Sequence, residues 1–500
     1  QKQHEAYRNG QSHCYFHMCF SPWLSLPRVG EGRFRTIATL PGTRNFRGLA
    51  TRRACGYAQG MKSDNNSSSA APAGRSFRLV CPACRIPQVE ELLHAQGYEF
   101  EPEPFSPWCR RLLAEPRPLG ASLAAFFGYI YIQDRSSMLP PLALAPAEGA
   151  AVLDMCASPG SKTGFLAQLV GPGGFVLGNE PSRARLATLR ANLHACNWPH
   201  AATCSYEGQA LPLTPESWDW ILLDPPCSGW GTVEKNPQVL TLWQGDKVKT
   251  LVGLQQMLLA HAARLLRPGG RLVYSTCTTN DEENEAQVRY AEEELGLRRL
   301  PLTPFDGFVW ENRPGGEGTL RVDGEKSGAQ GFYVALFTRD TATSCEDVRD
   351  EAAEGKARAA ADWRATGRPF ARERLRGPCF DPDLLPPGDV MLFGDQLRLV
   401  PPQAEVIPAA CRWQGGLLGR IGKRGFVPAP RLRLYLPGAA GDAPAGDAAL
   451  VLEDVDDITA LLNGQSRRTG LAGTEAALWW RNLPLGRVAL KQGRVLAAFG

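Results

Sequence analysis

The sequence lacks any apolar run of the roughly 18 residues that a membrane helix needs, so nothing in it predicts a bilayer span. It also lacks a dominant charge. The formal balance is +4, and residues 1–76 alone hold 11 Lys/Arg against 3 Asp/Glu, which leaves −4 for the rest. A polyanion bound by the folded part therefore has to find local basic patches. The 14 cysteines follow no repeated spacing, which points to a reducing cytoplasm and not to a disulfide framework. There is no three-glycine dinucleotide fingerprint, and no Walker spacing despite Lys162-Thr163, so NAD and ATP both fit poorly. His13, Cys14, His17 and Cys19, and the pair Cys81-Pro-Ala-Cys84, invite a metal reading. No second pair stands at zinc-finger spacing, so no metal is expected.

What is present is soluble-protein composition, 43% apolar and 21% charged over 500 residues, enough for two to four domains. Residues 1–76 show no sustained periodicity and end in a Ser/Asn/Ala-rich tract, Ser63–Gly74, of linker composition. They stay unassigned, expected to be disordered or an upstream extension, with Met61 a candidate start and residues 1–60 dispensable. From Phe77 the chain becomes orderly. Pro87 opens a short amphipathic helix (Val89, Leu92, Leu93) that Gly97 closes, which predicts a small lead-in domain over 77–128.

Strands and helices then alternate, and the residues of interest fall where strands end. Ala150–Val170 reads as a strand (AAVLDM), a loop of small residues (CASPGSKT) and a helix (GFLAQLV). Ala157, Ser158, Gly160 and Ser161 let a ligand approach the backbone, and the helix start offers free N–H groups to an anionic group. Twenty residues past Gly160, GGFVLGNE ends a second strand at Glu180, where an acid can accept both ribose hydroxyls of an adenosyl group. A third strand near Ala202–Tyr206 leads to Glu207. The fourth is apolar, ends at Asp224, and meets Pro225-Pro226, which cannot extend a central strand; a thiol, Cys227, follows. A helix over Leu251–Leu266 stops at Arg267-Pro268-Gly269-Gly270, and a fifth strand, RLVYSTC, ends at Cys277. Asn280 and Glu283 have capping-box spacing and predict the start of the next helix. The alternation argues an α/β fold, a doubly wound parallel sheet with ligands outside the carboxyl ends of its strands. Two thiols there can converge on one substrate. A buried structural cysteine pair or a redox disulfide explains neither the acids nor the small-residue loop.

At this point the residues resemble the Nol-Nop-Sun type RNA cytosine-5 methyltransferases, most like the bacterial 16S ribosomal RNA branch of the F type. The match covers Tyr129–Phe337 and is carried by YIQDRSSMLP, DMCASPGSKT, LLDPPCSG, LVYSTCTTNDEENE and GFYVALF in family order. The resemblance implies a Rossmann-like class I S-adenosylmethionine-dependent sheet over 129–340. It implies that Cys156, Ala157, Ser158, Pro159, Gly160, Ser161, Lys162 and Glu180 hold S-adenosylmethionine, and that Asp224 lies at the cofactor and the target base. Cys277 would be the nucleophile, with Cys227 assisting release. Glu207 stands where the family usually has Asp; the longer acid still accepts an adenine amino hydrogen bond.

The implied chemistry accounts for two thiols, because carbon 5 of cytosine is not nucleophilic until a thiolate adds to carbon 6. A base must leave its stack to reach such a pocket, which favours flexible RNA. The expected partner is ribosomal RNA or the small ribosomal subunit, met by a monomer in the cytoplasm. Past Phe337, Thr341–Gly367 is rich in Ala, Glu and Arg and predicts a helical linker over 341–369. Residues 370–500 carry short β-like runs (Val390–Phe393, Leu397–Val400, Arg431–Leu436) and resemble, more weakly, an RNA-binding extension with a PUA-like end. There Arg420, Lys423, Arg424, Arg431 and Arg433, interleaved with Phe426 and Tyr435, are candidates for phosphate contacts and stacking; a solvated charged face is the alternative. Three rivals remain: the same chemistry on transfer RNA, an amino-group methyltransferase, and a non-catalytic ribosome-assembly factor. The second expects an aromatic residue at position 227; the third expects a damaged nucleophile or cofactor loop.

Overall fold

A computed structural model gives the structure of residues 69–70, 75–243, 245–340, 367–423, 425–444 and 449–497, which are described here. The expectations for residues 1–60, Met61, Arg424 and most of the linker fall outside them. Five antiparallel strands come first: β1 (Ser69–Ala70), β2 (Ser76–Leu79), β3 (Glu99–Pro102), β4 (Cys109–Glu115) and β5 (Ile130–Ile132). The helix Ile86–His94 buries Val89, Leu92 and Leu93 with them. β5 lies beyond the expected boundary at 128/129 yet pairs with β2, because its aromatic-aliphatic run completes this sheet.

The central sheet contains β6 (Ala151–Asp154), β7 (Phe175–Asn179), β8 (Ala201–Cys204), β9 (Trp218–Leu223) and β10 (Leu266–Thr276), all parallel, in spatial order β8-β7-β6-β9-β10. Antiparallel strands follow, β11 (Leu297–Leu300), β12 (Leu320–Val322) and β13 (Phe332–Arg339), with β13 beside β10. Helices cover both faces, so the strands read as continuous apolar runs while their side chains sort with a period of two. Leu153, Ile221, Leu223, Leu272 and Tyr274 enter one core; Val152, Leu222 and Val273 enter the other. The chain leaves β6 toward β7 and returns to add β9 on β6's other side. This reversal opens the crevice at the carboxyl ends of β6 and β9, where the fold places its ligands.

The C-terminal region contains a five-stranded antiparallel sheet from Arg368–Pro369 to Gly425–Pro428 and a second five-stranded sheet within Ala449–Ala497. It is bound to the rest in two ways. The two-residue strand Trp413–Gln414 extends the central sheet antiparallel to β8, and Leu478, Trp480, Leu485 and Val495 share one core with Phe77, Leu92, Tyr98 and Phe127. Arg431–Leu436 is not a strand: it holds a short 3-10 turn, Arg433–Tyr435. Nor does Arg433 face solvent. Its guanidinium is fully buried and donates to the carbonyls of Ala195 (3.0 Å), Val80 (3.3 Å) and Gly128 (2.7 Å), over the Tyr129 ring at 4.1 Å. Tyr435 is buried as well. Neither fits the expected phosphate contact and stacking. Arg420 and Lys423 are exposed. Gly128 permits this junction, having a φ of 72° and lying where a Cβ would fall 1.9 Å from the Ala195 carbonyl oxygen. No helix among the described residues is long and apolar enough to cross a membrane.

Arg433→Ala strands the buried carbonyls of Val80 and Gly128, while Ala195 keeps its bond from Asn197 Nδ2 at 3.2 Å. At roughly 1–3 kcal/mol for each unsatisfied group, urea unfolding should register a loss of about 2 kcal/mol or more. Arg433→Lys should recover only part, because one ammonium cannot reproduce the planar fork.

Candidate active site

The loop Cys156–Gly160 leaves β6 and turns into the helix Ser161–Val170 through Gly160 at φ 107°. Its close seat on the sheet depends on Gly178 in β7, where a Cβ would meet the Ala157 Cβ at 2.9 Å. Ala157 N–H donates to the Asn179 carbonyl (2.9 Å), and Ser158 and Arg185 exchange hydrogen bonds of 3.0 and 3.1 Å. Asp154 ends β6 buried, accepting from Thr163 Oγ1 at 2.7 Å. Burial pushes its carboxyl up to about 7, the Asp224 charge adding to the rise and the Thr163 bond opposing it. Glu180, just past β7, is also buried; it accepts from Ser182 N–H at 2.8 Å and lies 3.4 Å from Arg185. Burial raises its pKa, with Arg185 opposing and Glu207 adding. Glu207, exposed just past β8, is thus a neighbour on the same rim. Burial pushes the Cys156 thiol well up, and the charges of Asp154, Asp224 and Glu180 push the same way. The loop therefore faces acids on three strand ends, a setting that suits a cationic ligand.

The other half of the site follows β9 and β10. Asp224 accepts from Lys162 Nζ at 2.7 Å on one oxygen and from Ser275 Oγ at 2.7 Å on the other, so it joins the β6 loop to β10. Burial alone lowers the Lys162 pKa; the adjacent Asp224 carboxylate more than offsets that, and Lys162 stays an ammonium, with Cys277 among the groups acting on it. The Cys227 and Cys277 sulfurs lie 3.3 Å apart. Contact with Cys277, and then burial, pushes the Cys227 thiol well above its ordinary range.

A buried hydrogen-bond clamp fixes that separation. The Glu283 carboxyl is fully buried. It accepts from Ser228 N–H (2.9 Å), Ser228 Oγ (2.5 Å), Gln255 Nε2 (2.9 Å) and Asn280 Nδ2 (3.2 Å). Ser228 Oγ also meets Thr278 Oγ1 at 2.7 Å. Ser228 and Thr278 directly follow the two cysteines, so the clamp grips both loops one residue from each sulfur. Gly231 tightens it, donating to the Cys277 carbonyl and accepting from Gly331 N–H, both at 3.0 Å. A Cβ on Gly231 would fall 2.1 Å from the Gly331 oxygen. The turn after β5 supports the same loops: Asp134 accepts from Gln330 N–H at 3.1 Å and pairs with Lys235 at 2.8 Å.

The structure thus gathers Cys156–Lys162, Glu180, Asp224, Cys227 and Cys277 along one edge of the sheet and leaves Glu207 at its exposed rim. The expected capping box is absent. The helix begins at Glu285, not Asn280, and Glu283 turns inward to the clamp. Local spacing misassigned it because its partners Ser228 and Gln255 lie 55 and 28 residues away.

A family model described as 16S rRNA methyltransferase RsmB/F matches residues 141–338. Ribosomal RNA small subunit methyltransferase F from Shewanella sp. (strain ANA-3) is 31% identical over 448 residues, covering 86% of this chain and 86% of that protein. The protein of the same description from Escherichia coli O139:H28 (strain E24377A / ETEC) is 36% identical over 280 residues, 54% of this chain and 58% of its own. Among solved structures, the crystal structure of PH0851 is similar with a TM-score of 0.50 at 28% identity, over 54% of this chain and 60% of that one.

Glu283→Gln replaces one acceptor oxygen with a donor facing donors. A loss of about 1–3 kcal/mol in urea unfolding is expected. Diamide should cross-link Cys227 to Cys277 rapidly in the parent protein and more slowly in the variant. Equal rates would remove the clamp's hold on the thiols.

Proposed function

Because the chain belongs to the ribosomal RNA small subunit methyltransferase F family, we propose that it methylates carbon 5 of a cytosine in 16S ribosomal RNA through a covalent cysteine adduct. The observation that carries this reading is the pair of sulfurs 3.3 Å apart, held beside a cofactor loop ringed by acids. The residues fit S-adenosylmethionine. Glu180 would accept from the ribose hydroxyls and Glu207 from the adenine amino group, and the acids at the strand ends suit a positive sulfonium. S-adenosylmethionine supplies carbon 5 with an electrophilic methyl group.

The protein's own residues account for the rest. Cys277 adds through sulfur to carbon 6, and the electron pair of the broken 5,6 double bond makes carbon 5 nucleophilic. The Lys162 ammonium favours negative charge on that sulfur. Asp224, oriented by Lys162 and Ser275, accepts a hydrogen bond from protonated ring nitrogen 3. Transfer of the carbon 5 proton to solvent then restores the 5,6 double bond as the carbon–sulfur bond breaks, its electron pair returning to Cys277. Cys227, in contact with that sulfur at 3.3 Å, assists this release.

Radiolabelled methyl groups should reach 16S ribosomal RNA and not transfer RNA, and digestion to nucleosides should place the label in 5-methylcytosine. Label on the exocyclic amino group would overturn the reading. Glu180→Ala should weaken S-adenosylmethionine about tenfold or more by calorimetry, as for loss of hydrogen bonds to a charged acceptor. Cofactor affinity should also rise as pH rises through about 7, where Asp154 ionises and its charge begins to favour the sulfonium; Asp154→Asn should flatten that profile.

A further inference from the structure

A cavity of about 460 Å³ opens at the edge of the central sheet, where Trp413–Gln414 pairs with β8. A second, of about 260 Å³, adjoins it and shares Arg190, Arg398 and Gln414. Neither includes Cys227 or Cys277. Arg190 comes from the helix Arg183–Ala195, Arg398 from the strand Gln396–Val400, and exposed Arg412 from the residue before Trp413. Three cations thus converge from three separate elements. Their hydrogen bonds go to neutral acceptors: Arg190 to Thr203 Oγ1 at 2.9 Å, Arg398 to the Gly415 carbonyl and Gln396 Oε1, both at 2.7 Å. Among the described residues, no carboxylate lines either cavity.

Crowding like charges out of water costs free energy unless an opposite charge offsets it. The cost is visible in Arg398, whose pKa falls to about 10 through burial and then the nearby Arg190 charge. His194, lining the second cavity, is lowered by burial and then by Arg431 and Arg398. The missing partner is an anion that arrives from outside.

We propose that this cleft binds a backbone phosphate of the RNA substrate, through Arg190, Arg398 and Arg412. The proposal rests on the RNA methyltransferase reading and names where the strand is held. Guanidinium forks match phosphate oxygens, and the half-buried ring of Tyr206 on the same wall adds an aromatic surface for an adjoining base. That aromatic flank favours a polynucleotide over a free anion. The cleft lies at the carboxyl end of β8, and the thiol loops follow β9 and β10, three and four strands across. At about 4.8 Å per strand, that is about 15–20 Å, a span that an RNA strand held here covers by passing outside the cofactor to reach the cysteines.

The test uses the full chain and a single-stranded, cytosine-containing oligoribonucleotide, with binding read by fluorescence anisotropy and no cofactor present. Arg398→Gln and Arg412→Gln should each weaken binding about tenfold and reduce the salt slope of log K by about 0.7, the value for one single-strand phosphate contact. Gln414→Glu places a carboxylate between the arginines without removing either. It should weaken RNA binding while raising the melting temperature, and leave S-adenosylmethionine affinity unchanged, a combination that a merely structural cluster does not produce. Unaltered RNA affinity and salt slope in Gln414→Glu and Arg412→Gln, both folded with parental cofactor affinity, would overturn the proposal. So would competition by inorganic phosphate for the cleft while RNA binding ignores the arginines, which assigns the site to a free anion. Binding is read without turnover, so failure of the methylation reading would appear separately, as absent product with arginine-dependent RNA binding intact.

Discussion

The buried Glu283 carboxyl is the interaction on which the active site depends. Two loops that each end a strand have no intrinsic reason to hold their sulfurs 3.3 Å apart; loop backbone is the least constrained part of an α/β fold. Four hydrogen bonds converging on one carboxyl, with Ser228 and Thr278 joined beneath it, remove that freedom. Two of the bonds come from Ser228 in the Cys227 loop, one from Asn280 in the loop after Cys277 and one from Gln255 on the helix Asp246–Leu265, so three segments are tied to the same point.

The Lys162–Asp224 pair does for the two halves of the crevice what Glu283 does for the two thiols. Lys162 stands in the first turn of the helix Ser161–Val170 and Asp224 begins the loop carrying Cys227, so the 2.7 Å bond between them sets the loop after β6 against the thiols. On the proposed reading the cofactor side gathers on β6, β7 and β8 and the covalent side on β9 and β10. The reversal of strand order between β6 and β9 makes the division possible. The C-terminal region is part of the same construction, since it lengthens the sheet beyond β8 and shares a core with the first sheet.

Much of this was legible in the sequence because the chemistry sits in contiguous strand-and-loop segments. An apolar run ending in Asp224-Pro225-Pro226-Cys227, or a small-residue loop before a helix, declares both its element and its exposed end. Features set by distant partners were not legible. Glu283 has a local spacing that mimics a cap. Arg433 and Tyr435 alternate with other basic residues as an RNA-facing stripe does, yet three carbonyls from residues 80, 128 and 195 bury the arginine. Trp413–Gln414 is too short to show a strand period, so the sheet extension and the cleft beside it came only with the fold.

The central claim is a division of labour between two thiols in contact: Cys277 attacks and Cys227 assists departure. Incubating each alanine variant with 16S ribosomal RNA and S-adenosylmethionine, then resolving the products under denaturing conditions, tests it most directly. Cys227→Ala should accumulate as a denaturant-stable protein–RNA band, because attack and methylation proceed while elimination stalls; Cys277→Ala should form neither adduct nor product. The reverse pattern, with Cys277→Ala trapped and Cys227→Ala unable to form an adduct, would contradict the assignment, and full turnover by both variants would contradict covalent catalysis itself.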